Sequence, residues 1–113
     1  MAPIVRAYLQ APNATITSGT KLSTAIKVTE FVAGFIQFPA ALTSTTFTLL
    51  GSVDNGTTFN AVCDSTGTAL AAIACGASAL VQLPDQIKGL DQIKIQTASN
   101  EGAARTLLIG LKG

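Results

Sequence analysis

A period of two, repeated between tight turns, constrains this chain more than any other feature. Residues 34–63 show it best. Gly34, Ile36 and Phe38 alternate with Phe35 and Gln37, and Pro39, which has no amide to donate, ends the run. Residues 46–53 alternate again, with Phe47, Leu49 and Val53 on one face and Thr46, Thr48 and Ser52 on the other. Asp54-Asn55-Gly56 follows, residue types that tolerate the positive φ of a tight hairpin turn. Phe59, Ala61 and Cys63 then read as the return strand. No residue in this stretch is an obvious acid, base or ligand, so the best-specified part of the chain is scaffold.

The same period runs through the remainder. Thr15-Ile16-Thr17 is a short strand, turned by Ser18-Gly19-Thr20. Residues 22–28 alternate, with Leu22, Thr24, Ile26 and Val28 on one face and Ser23, Ala25 and Lys27 on the other. Asp64-Ser65-Thr66-Gly67 is a second tight turn, and the Ala-rich residues 68–74 read as a strand because Gly67 and Gly76 bound them closely. Pro84 suits the first position of a short helical turn and Gly89 its C-terminal end, which places one such turn at residues 84–89. Ile93 and Ile95 point inward and Lys94 and Gln96 outward. In the last strand Leu107, Ile109 and Leu111 are inward and Leu108 outward. Eight to nine short strands at regular spacing predict an all-β fold, an antiparallel sandwich or jelly roll, forming a single domain over residues 13–113.

Composition narrows the class of function. With 113 residues the chain buries a core without help from metal or disulfide. Charged residues are only 12% of it, about half the usual share, and Thr, Ser, Ala and Gly fill the gap. A surface so poor in charge is expected to be covered in part by neighbouring protein. The net charge of +1 is spread over scattered Lys and Arg with few aromatics, which argues against nucleic acid. No apolar run approaches a membrane span, and the N-terminus lacks the layout of a secretory signal, so synthesis in a cytoplasm is expected. Asn13-Ala14-Thr15 and Asn55-Gly56-Thr57 match a glycosylation acceptor and are read as chance in such a chain.

An enzyme is not expected. There is no His, so a Ser or Cys nucleophile has no orthodox base. Asp54 and Asp64 fall in tight turns, Asp85 in the helical turn, and Asp91 and Glu101 flank strands, where they read as solvated. Asp54 and Asp64 could meet at one end of a sandwich, but no spaced loop supplies the further oxygens that calcium requires. No cofactor and no metal is expected. Cys63 and Cys75 lack partner ligands; two small buried thiols, kept reduced, are favoured over a bridge between them.

Residues 1–12 stand apart, with Pro3 and Pro12 isolating the alternating run Ile4-Val5-Arg6-Ala7-Tyr8-Leu9-Gln10. Two readings are open: an edge strand of the sheet, or an arm that pairs with a neighbouring subunit or a shell protein. Ile4, Arg6, Tyr8 and Leu9 are the candidate assembly residues, Tyr and Arg being types enriched at interfaces.

A resemblance rests on Ile36-Gln37-Phe38-Pro39-Ala40-Ala41, then Leu42-Thr43, Thr46-Phe47 and Asp54-Asn55-Gly56-Thr57-Thr58-Phe59. It continues through Asp64-Ser65-Thr66-Gly67-Thr68, Leu83-Pro84, Gly89-Leu90, Ile93-Lys94-Ile95 and Ala103-Ala104-Arg105-Thr106-Leu107. In order and spacing these are similar to a widespread family of small tailed-bacteriophage virion proteins. Leu42 stands where that family often has Trp, and Gln92 where it often has an aromatic or aliphatic residue. The resemblance implies a virion structural role at the capsid surface, as a decoration (cement) protein with no activity. It further implies the major capsid protein as partner, and self-association, by analogy with cement proteins a homotrimer. A glycan-binding sandwich of a tail or fibre, or a head–tail connector component, is the alternative.

Overall fold

The computed structural model describes residues 8–10, 13–29, 31 and 33–112, with side chains from residue 13 to residue 111. They form ten strands: β1 Tyr8–Gln10, β2 Ala14–Ile16, β3 Ile26–Lys27, β4 Ala33–Gln37, β5 Thr46–Ser52, β6 Asn60–Ala61, β7 Ile73–Ala74, β8 Leu80–Gln82, β9 Gln92–Thr97 and β10 Arg105–Lys112. One 3-10 helix, Asp85–Gly89, precedes β9.

The strands make two antiparallel sheets. In sheet 1 the order is β1-β10-β4-β8, and β2 continues the path of β1 along β10. In sheet 2 the order is β3-β9-β5-β6, and β7 takes up the path of β6 along β5. Counting β1 with β2 and β6 with β7, the ten strands fill eight positions. First pairs with eighth, second with seventh, third with sixth and fourth with fifth. That is one long hairpin rolled so that its successive strand pairs fall in alternate sheets, the jelly-roll arrangement.

The inward residues are those that the alternation places inward. Ile16, Ile36, Phe38, Leu107, Ile109 and Leu111 come from sheet 1 and its margin, and Ile26, Phe47, Leu49, Ile93 and Ile95 from sheet 2; all are buried. Each such side chain contributes about 1.5–3 kcal/mol relative to exposure. Phe38 meets Phe47 across the two layers, ring centroids 5.3 Å apart and tilted by 50°, a geometry that adds to their burial. Ile87 of the 3-10 helix and Leu83 close the core beneath β8 and β4. Gly34 is required where it stands: a Cβ there would lie 2.6 Å from the Gly110 carbonyl oxygen.

Five local expectations are corrected. Val53 is 75% exposed, and Ser52 is buried instead, because its hydroxyl is drawn in to organise the Asp54 turn. The return strand is only Asn60–Ala61, and it is Val62 that points inward while Cys63 is exposed. Of residues 68–74 only Ile73–Ala74 is strand; the chain between Cys63 and Ala69 bulges out as its own small turn. Residues 22–28 are not one strand: Ser23 is buried, Thr24 and Ala25 both face out, and the phase resets before Ile26. The Ser23 hydroxyl accepts the Ile95 amide and its own amide donates to the Ile95 carbonyl, which is what turns it inward. In the helical turn Pro84 is extended and caps the helix from outside, so the turn begins one residue later.

Candidate interaction surface

The two sheets present unlike outer faces. On sheet 1 the outward positions are Thr15, Ala33, Phe35, Gln37, Leu80, Gln82, Thr106, Leu108 and Gly110, as the registers between β2, β10, β4 and β8 require. None is charged. Phe35 is 45% exposed, Leu80 62% and Leu108 42%. Phe35 lies directly across from Gly110, so its ring has no facing side chain on that strand. On sheet 2 the outward positions include Lys27, Gln92, Lys94, Gln96, Thr46 and Thr48. Lys94 sits over the Phe59 ring, 4.5 Å from its centroid, which occupies that aromatic face with a cation of the same chain.

A cleft of about 490 Å³ opens between the end of β5, β6 and the 3-10 helix. Val53, Ala61, Val62 and Leu90 give it an apolar floor, and Asp54, Thr58, Asn60 and Gln86 a polar rim. No aromatic ring lines it. Gly51 opens its base, since a Cβ there would meet Leu90 at 2.8 Å.

The carboxylates sort into two kinds. Asp54 accepts the Thr58 amide and the Ser52 hydroxyl, and Asp64 accepts the Thr66 hydroxyl and the amides of Thr66 and Thr68. These bonds hold both acids below the usual Asp value. Asn55 (φ 58°) and Gly56 (φ 89°) complete the first turn, and Gly67 (φ 81°) the second. Glu101 is the exception and a correction: it is fully buried. Its Oε1 accepts the Thr43 amide at 3.0 Å and the Arg105 Nε at 2.9 Å. Its Oε2 accepts the Ser44 hydroxyl at 2.6 Å, the Thr43 hydroxyl at 2.9 Å and the Ser44 amide at 3.1 Å. Burial pushes its pKa up, but the bonds from Ser44, Thr43 and Arg105 outweigh burial and hold it down at about 2. Every donor faces an oxygen, so the group is a fastening and has no acceptor or lone pair left for substrate chemistry.

Of the assembly residues read from sequence, Ile4 and Arg6 lie outside the described residues. Tyr8 and Leu9 are placed by backbone: β1 runs antiparallel to the end of β10, Tyr8 opposite Lys112 and Leu9 opposite Leu111. Cys63 is exposed and Cys75 half-buried, both free; burial and the nearby Glu101 charge push the Cys75 thiol up. Among the described residues no group of three metal-ligating side chains comes together, and no helix is long and apolar enough to cross a membrane. Phe35, Leu80 and Leu108 were not singled out from sequence as interface residues, although the alternation does place Leu108 outward and Phe35 opposite the core positions.

No family model and no curated protein matches the sequence. Among solved structures, the crystal structure of the SPBc2 prophage-derived protein YomS matches with a TM-score of 0.65 at 14% identity, over 100% of this chain and 99% of that one. The chain shares its whole fold with a prophage-derived protein.

Proposed function

We propose that the chain is a bacteriophage virion structural protein, a capsid decoration (cement) protein that lies on the outside of the head and stabilises the shell. The observation that carries this reading is the outer face of sheet 1, where Phe35, Leu80 and Leu108 project among uncharged neighbours on β4 and β8. A face of that kind loses little on desolvation against another protein. The full-length likeness to a prophage-derived protein and the low charge of the chain support the phage setting. On this reading the partner is the major capsid protein, the chain associates with itself, and it performs no catalysis. Affinity for the shell comes from many weak contacts made at once.

The cleft beside Val53 is the observation in favour of the alternative, a tail or fibre module that grips glycans. Its rim offers hydrogen bonds, but it has no aromatic ring on which a sugar face would stack, and it therefore ranks second.

The test is made on particles of the phage that encodes the chain. Protein counting in purified virions is expected to give copies in proportion to the head lattice, and heads lacking the chain are expected to open at lower temperature. Only a few copies per particle would point to a connector, and absence from mature particles would overturn the reading.

A further inference from the structure

The free edge of β8 is where the fold leaves its backbone unprotected. Edge strands carry unpaired amides and carbonyls and are usually blunted by charge, proline, a bulge or cover. Among the described residues, the β2, β3 and β6/β7 edges carry such devices. β2 is covered by the segment behind it: the Thr24 amide donates to the Thr15 carbonyl, and the Thr15 amide donates to the Thr24 hydroxyl. β3 is two residues long and bears the exposed Lys27. The β6/β7 path is broken by the excursion between Ala61 and Ile73.

β8 has none of these within Leu80-Val81-Gln82. The Leu83 amide donates to the Gly34 carbonyl and the Phe38 amide to the Ala79 carbonyl, so the odd-numbered residues, Val81 included, are the ones hydrogen-bonded to β4. The amides and carbonyls of Leu80 and Gln82 therefore point away from β4, and no described residue bonds to them. Leu80 is the most exposed large hydrophobic residue among the described side chains of sheet 1. Beside this edge a gap of about 340 Å³ separates the two sheets, lined by Ile73, Leu83, Pro84, Gln82 and Asp85.

We infer that β8 pairs with β8 of a second copy, antiparallel about a two-fold axis through Val81. The register is self-complementary. Leu80 of one copy faces Gln82 of the other, and both are the residues with free backbone groups, so four hydrogen bonds close at once. Val81 meets its own mate in the close, non-hydrogen-bonded position. On the outer face the two Leu80 side chains become diagonal neighbours within reach of each other. The two outer faces merge into one continuous sheet surface, and neither β8 nor β4 carries a charge to oppose its mate near the axis. Sheet 2, with Lys27 and Lys94 outward, offers no such self-match. This pairing does not depend on the virion reading, and it favours a two-fold pair over the trimer implied by the family resemblance.

Light scattering on the purified full chain across a concentration series tests it. The expected mass is twice that of the 11.5 kDa chain. Leu80→Lys and, independently, Gln82→Lys place like charges at the axis on exposed positions and are expected to weaken the dimer at least about tenfold with an unchanged circular dichroism spectrum. Thr106→Lys, on the same outer face but away from the edge, is expected to leave the dimer intact. A wild-type chain that stays monomeric, a trimer, a dimer indifferent to both edge lysines, or one dissociated by Thr106→Lys would each overturn the inference.

Discussion

The Glu101 cluster and the Asp54 and Asp64 turns are built from the same parts, a carboxylate receiving amides and hydroxyls, yet they do different work. Asp54 and Asp64 bond to residues two and four positions away and stay in water. Each shapes one turn. Glu101 bonds to Thr43 and Ser44, 58 and 57 positions away, with only Arg105 nearby in sequence. It fastens the loop between β4 and β5 to the approach to β10, and so joins the two arms of the rolled hairpin. The Gly19 amide on its carbonyl and the Ser18 hydroxyl on the Gly102 carbonyl bring a third loop to the same point. The difference teaches that distance in sequence, and not residue type, decides whether a carboxylate shapes a turn or closes a fold.

The largest effect is expected where burial is complete. Glu101→Gln keeps the shape but turns an amide group toward a set of donors and leaves the Arg105 charge without its partner. A loss of about 3 kcal/mol is expected, because an uncompensated buried charge and unmet donors cost that much; denaturant unfolding measures it. A loss no greater than that of a surface substitution would break the comparison.

Acid sharpens it. Glu101 has its pKa lowered from 4.5 to about 2 in the folded chain, so its contribution is complete above the unfolded value and is lost as pH falls through the folded one. Between about pH 5 and pH 2 the native chain should lose stability more steeply than Glu101→Gln, and the two curves should converge at the acid end. Asp54 and Asp64 are lowered in the same direction, so the mutant keeps a shallower acid slope of its own. Parallel curves would mean that Glu101 is not the charged member of the cluster.

The smallest effect belongs to Asp54→Ala and Asp64→Ala. Each should loosen its own turn, seen as faster amide exchange at Thr58 or at Thr66 and Thr68, with little change in the global unfolding midpoint. A global loss matching that of Glu101→Gln would erase the distinction between the two kinds of site.

The same contrast explains which parts of the fold are legible in the sequence. The strands centred on Ile36, Phe47, Ile93 and Ile109 are legible because side-chain alternation is local and a one-residue slip would turn each of them inside out. The Asp54 and Asp64 turns are legible because their bonds span four residues or fewer. Val53 and Ser52 exchange places because a turn hydrogen bond, invisible to a count of apolar positions, overrides the phase. The role of Glu101 is not legible because its partners Thr43 and Ser44 are half the chain away and only Arg105, four positions on, is local. The surface of sheet 1 was legible as outward residues but not as one face, since that requires knowing that β10, β4 and β8 lie side by side.

One consequence follows from the eight-position pairing. The final strand is not an appendage: β10 lies in the interior of sheet 1, between β4 and the β1/β2 path. Until β10 has been made, the middle of that sheet does not exist, and the β4 edge meant for β10 is open to any other strand. Long-range pairings of this kind form slowly and expose edges while they wait. Loss of residues 105–112 would therefore split sheet 1 into the β1/β2 path on one side and the β4–β8 pair on the other.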